Sequence, residues 1–149
     1  LEVDGRWPLG IGSFSLALLA FLPEREVADI VAFNRRRVSE SDTSTFEHID
    51  RSILKTRRNG HATRTTRSYR GLAGIAVPVF DERRYPLASL CIVDEARRMT
   101  SPAQARLAAA LKREAALISH LYESGRLQEQ QQERWRLAVR GSVAGRARD

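Results

Sequence analysis

The chain has 149 residues, 42% of them hydrophobic and 29% charged, with a net charge of +7 and a single cysteine. That length suits one domain with a real core and is short for two. No apolar run reaches the roughly 18 residues needed to cross a membrane, and a lone cysteine excludes an internal disulfide and fits a reducing cytoplasm.

All the basic residues but Lys55 and Lys112 are arginine, and they are spread along the chain. A nucleic-acid surface gathers its cations beside a recognisable reading element, and none is present. The apolar run Phe14 to Leu22 lacks a basic leader and a small-residue cleavage site, so it does not read as a signal peptide. The first residue is Leu, and core-quality sequence follows almost at once. The chain therefore reads as a piece with N-terminal elements missing.

Residues 1–12 read as an extended entry punctuated by Gly5, Pro8, Gly10 and Gly12. Ser13 is placed to cap a helix, FSLALLAFL, that is apolar almost all round and therefore buried on several sides. Pro23 suits the first turn of a second helix, with Val27, Ile30 and Val31 on one face and Asn34 to Arg37 at its end. Ser44 and Glu47 have capping-box spacing before a third helix, in which Phe46, Ile49, Ile53 and Leu54 form the apolar stripe. Lys55, Arg57 and Arg58 complement the negative end of its dipole, and Gly60 is positioned to end it in a left-handed conformation. His61 to Thr66 reads as a Thr-rich edge strand.

The stretch Leu72 to Asp94, LAGIAVPVFDERRYPLASLCIVD, reads as two buried strands joined by a polar turn. Strand alternation puts Ser89, Cys91 and Val93 on one face and Ala88, Leu90 and Ile92 on the other. The small side chains of the first face suit a pocket floor, and the second face suits packing against helices. Ser101 and Pro102 read as cap and first residue of a long helix with Leu107, Leu111, Ala115, Ile118 and Tyr122 on one face, ending near Glu123. The composition then turns polar and basic. Residues 1–123 are read as the domain, and residues 124–149 as a tail that is partly helical or disordered.

Little here supports catalysis. The glycines around Ser13 lack the G-x-S-x-G spacing; Gly10 and Gly12 before a helix suit either a flexible turn or an anion contact. His48, His61 and His120 are scattered without metal spacing and read as ordinary surface or helix residues. Cys91 lies in an apolar strand with no adjacent base, where it packs as a small hydrophobe or lines a pocket. No catalytic residue, metal site or cofactor is expected.

Several blocks together resemble one family. RWPLGIGSFSLALLAFLPEREV resembles the family's R-x-P-L, small-residue segment and A-L-L-A-F-L-P-E-E-E run. RRNGHA resembles R-x-R-G-Y-A, RGLAGIAVPVFDE resembles G-x-x-x-I-A-A-P-V-x-D, and ASLCIVDEARRMT resembles A-L-S-V-S-G-P-x-S-R-M-T. In this order and spacing, over about residues 6–123, the chain resembles the effector-binding domain of IclR-type transcription regulators.

The resemblance implies an α+β, GAF-like fold, a curved antiparallel sheet with packed helices, here incomplete on its N-terminal side. It implies a cytoplasmic, non-catalytic sensor of a small carboxylate or aromatic acid. Such a sensor works as a homo-dimer or tetramer and reaches DNA only through a winged helix absent from this chain. Carried over by position, the effector contacts fall at Ser13, Phe14, Arg64, Leu72, Gly74, Cys91 and Val93. Cys91 and Val93 stand where hydroxyl-bearing serines are common, and the segment Arg64–Arg67 lies where the family is often acidic. These departures imply a more apolar pocket with a cation at its rim. They leave open a second reading, an association module that has lost its effector.

Overall fold

A computed structural model describes residues 8–36, 47–65 and 71–145, with side chains through residue 133. Among the described residues four helices and three antiparallel strands make an α+β fold: α1 (Gly12–Leu19), α2 (Glu24–Arg35), α3 (Ile49–Asn59), β1 (Ala62–Thr65), β2 (Leu72–Phe80), β3 (Pro86–Glu95) and α4 (Ser101–Gly145). The described strands form one sheet in the order β1-β2-β3.

The hairpin β2–β3 is the sheet's core because β2 is apolar on both faces and is covered on both. One face of the sheet lies under α1: Ala62 and Ala76 join Leu16, Leu19, Ile49 and Ile53 in one cluster, with Cys91 against it. The opposite face lies under α4, where Ala73, Ile75, Val77 and Val79 pack with Ala108, Leu111 and Ala115, and Leu90 and Ile92 flank them. Alternation thus divides β3 between the two layers as its sequence implies. Leu16 and Leu19 of α1 are almost wholly out of water, each worth about 1.5–3 kcal/mol in transfer free energy.

The hairpin turn carries no Asn-Gly signal. Instead the Asp81 carboxylate accepts the Arg83 and Tyr85 N–H groups at 2.9 and 2.8 Å, and Arg84 adopts φ 65°. Gly60 ends α3 at φ 67°, its N–H donating to Thr56 O, as the sequence predicts.

Several local expectations shift. Ser13 is not the cap of α1: the helix starts at Gly12 after Ile11, and the Ser13 hydroxyl is used elsewhere. Pro23 stands just before α2, whose first turn begins at Glu24. Thr100, not Ser101, caps α4: the Ala103 N–H donates to Thr100 Oγ1 at 3.4 Å. Leu54 is 65% exposed, so the buried stripe of α3 is Ile49, Ile53 and Thr56. The α4 helix does not stop near Glu123 but runs on to Gly145. Ile118 and Tyr122 on it are exposed, because the buried seam follows Ala108, Leu111 and Ala115. Ser44 and Phe46 lie outside the described residues.

Candidate functional site

The register of the sheet brings the candidate residues together. Arg64 pairs with Gly74, and Gly74 with Val93, so these three form one row across the strands. Ala62, Ala76 and Cys91 form the next row on the same face. Leu72, opposite Glu95, lies two residues along the same strand face from Gly74. Arg64, Leu72, Gly74, Cys91 and Val93 therefore share the face that α1 covers.

Ser13 closes the centre of that face. Its Oγ lies 3.4 Å from Cys91 Sγ. A Cβ built on Gly74 would stand 2.3 Å from the same Oγ. Gly74 thus leaves the notch into which the Ser13 hydroxyl fits, and no ligand atom has room between them. Phe14, half-buried, leans over Gly12, its nearest ring carbon 3.1 Å from where a Cβ there would be. Val93, at the end of the row away from Arg64, is 46% exposed. Burial pushes the Cys91 thiol above its usual pKa, and the bond from Ser13 opposes that shift. The thiol is a packing group rather than a nucleophile at neutral pH.

At the other end of the row is Arg64. Its Nε and Nη2 atoms are buried and have no hydrogen-bond partner among the described residues. Burial alone lowers its pKa, yet a guanidinium keeps its charge under all ordinary conditions. A charged donor edge is thus held out of water and unpaired, a costly arrangement unless an anion completes it.

Beside Arg64 a cleft of about 270 Å³ opens between α1, α3 and β1. Leu16 forms its apolar wall; Ser52, Lys55, Thr56 and Asn59 come from α3, and His61, Thr63 and Thr65 from the β1 segment. A smaller cleft, about 100 Å³, lies past the sheet edge between Arg64, Gly74, Met99 and Gln104. The structure therefore sets Arg64 on both clefts and Gly74 on the smaller one alone, packs Ser13 and Cys91 together, and adds α3 residues, on the larger of the two, that the sequence reading missed. The α3 spacing 52, 55, 56, 59 marks one polar helix face, a signal that also fits an ordinary solvated surface.

A larger cleft, about 460 Å³, lies on the α4 side among Phe21, Phe80, Asp81, Lys112, His120 and Glu123. Its mixed charges give it no preference for one sign of ligand. Among the described residues no group of three or more His, Cys, Asp or Glu side chains is gathered to hold a metal ion. No described helix is long and apolar enough to cross a membrane.

Residues 1–120 match the family described as the bacterial transcriptional regulator IclR C-terminal domain, and the chain belongs to it. It is thus the C-terminal domain of an IclR-family transcription regulator. It is 32% identical over 132 residues to the glycerol operon regulatory protein of Streptomyces coelicolor, covering 85% of this chain and 50% of that one. Its fold is similar to the C-terminal domain of the E. coli transcriptional regulator KdgR (29% identity, TM-score 0.65, 76% of this chain and 70% of that one). It is likewise similar to the Thermotoga maritima IclR (26% identity, TM-score 0.65, 75% and 46%). The chain spans about half the length of the curated relative it matches. These relatives are transcriptional regulators rather than enzymes.

Proposed function

We propose that this domain senses a small acidic effector, and that Arg64 receives the acid group. The observation that carries the reading is the buried, unpartnered Nε–Nη2 edge of Arg64 on the row Arg64–Gly74–Val93. That edge presents two parallel donors, the geometry that grips a carboxylate bidentately. The rest of the effector extends from Arg64 into the adjoining cleft between α1, α3 and β1, where Leu16 supplies an apolar wall. Ser13, Phe14 and Cys91 shape this site from behind: Ser13 fixes how closely α1 approaches the sheet.

Sensing requires that the occupied and empty states differ in another property of the protein. In this reading that property is the association of the domain into a homo-dimer or tetramer. DNA is then reached through a separate winged helix in the cytoplasm. The domain itself carries out no reaction.

Isothermal calorimetry with benzoate and related small aromatic acids tests the site. Arg64→Met, which keeps the chain length but loses the charge, is expected to weaken binding by about tenfold or more. Equal affinities for the two proteins would remove Arg64 from the site. The second reading, an association module without an effector, draws on Ser13 filling the notch above Gly74. It predicts no heat with any acid and an oligomeric state that no acid changes.

A further inference from the structure

The cleft beside Arg64 is one-signed. Lys55 and Arg64 bring two fixed cations to it, His61 a third that depends on pH, and none of the described residues that line it is acidic. The larger cleft under α4, by contrast, mixes charges of both signs. The His61 ring is also held in place. His61 Nδ1 lies 3.1 Å from Asn59 O, an acceptor only, so the neutral ring carries its proton on Nδ1. Lys112 donates to the same carbonyl at 2.7 Å, adding positive charge behind the ring. Burial is the main cause that lowers the His61 pKa, Lys112 and Lys55 add to it, and the hydrogen bond to Asn59 O opposes it. The polar face of α3, with Ser52, Thr56 and Asn59, adds hydrogen-bonding groups around the same space.

A single carboxylate would answer Arg64 and leave Lys55 and His61 unmatched. At about 270 Å³ the cleft lies at or below the roughly 300 Å³ lower end of ligand pockets, which suits a group of few heavy atoms. We propose that the cleft between α3 and β1 seats a phosphoryl dianion, held by Arg64 and Lys55 with His61, once protonated at Nε2, as the third donor. It is either free phosphate or the phosphate end of a small phosphomonoester. This rests on the reading of Arg64 as an anion receptor and goes beyond it in naming the anion and two further residues.

The test uses the full chain in a phosphate-free buffer of low ionic strength, with inorganic phosphate, methyl phosphate and benzoate as separate probes. Binding is followed by calorimetry, and the His61 ring by NMR across a pH titration. Either phosphate is expected to raise the His61 titration midpoint, since a nearby anion favours the charged ring. Lys55→Met is expected to weaken phosphate by about tenfold and benzoate hardly at all, whereas Arg64→Met weakens both. Tighter binding of methyl phosphate than of inorganic phosphate marks an organic ligand; the reverse order marks the free ion. An unmoved His61 titration in the wild-type protein at saturating phosphate overturns the proposal whatever the variants do. If benzoate binds through Arg64 and phosphate does not, this inference fails and the acidic-effector reading stands. If neither binds, both fall.

Discussion

The contact between Ser13 and Gly74 yields a prediction that separates close packing from mere adjacency. In Gly74→Ala the new methyl would sit 2.3 Å from Ser13 Oγ, about 1 Å inside any tolerable contact. Ser13 is 3% exposed, so its hydroxyl cannot swing into water; turning it aside forfeits the Cys91 contact and buries an unpaired group. Overpacking costs about 1–3 kcal/mol, and a buried hydroxyl without a partner costs about the same. Relaxation lets one substitute for the other, so Gly74→Ala should lose about 2–3 kcal/mol. With Ser13→Ala already in place the nearest remaining atom is the residue-13 Cβ at 3.4 Å, an ordinary contact. There the alanine should be neutral or gain about 0.5–1 kcal/mol from its better strand conformation. Urea unfolding of the four proteins, fitted with a common slope, reads the coupling. An equal cost of Gly74→Ala in both backgrounds would refute the notch, and with it the account of why α1 lies so close to the sheet.

Three further outcomes follow. Without ligand, Arg64→Met should stabilise the domain by about 1–3 kcal/mol, since it removes a buried unpaired charge edge; a lower unfolding midpoint would mean that Arg64 is already satisfied. His61 has a folded-state pKa below its ordinary 6.5, so the unfolded chain binds the proton more readily and stability falls as the pH drops from 6.5 through the folded value. His61→Gln should abolish that part of the slope, and a wild-type-minus-variant difference that stays flat from pH 8 to pH 5 would contradict it. Cys91, with its thiol pKa raised by burial, should react with iodoacetamide at pH 8 about tenfold or more slower than in urea. Equal rates would place the thiol at the surface.

Much of the architecture was legible in the sequence because it depends on local periodicity. The run LAGIAVPVF is apolar at every position but one glycine, which only a strand covered on both faces tolerates, and it forms β2 over those same residues. Gly60 announced the left-handed end of α3 because few other residues adopt that conformation cheaply. The α4 helix runs past Glu123 because nothing in residues 124–145 forbids a helix. A change from apolar to polar composition ends burial rather than helical hydrogen bonding.

The site divides along the same line. Alternation in β3 was enough to put Cys91 and Val93 on one face, and the family likeness marked Arg64 and Gly74. Only the register, Arg64 to Gly74 to Val93, shows that three residues from distant parts of the chain stand in one row. Only the packing of α1 shows that Ser13 fills the notch at Gly74 rather than capping its helix. The polar face of α3 carried no signal by itself, since a helix with Ser52, Lys55, Thr56 and Asn59 on one side reads as an ordinary solvated surface. It comes to line a cleft because β1 folds beside it and brings Arg64 to the same space. Which residues are apolar, and at what period, is written along the chain; which charges face each other across a gap is decided by strand register and helix approach, and both depend on contacts far apart in sequence.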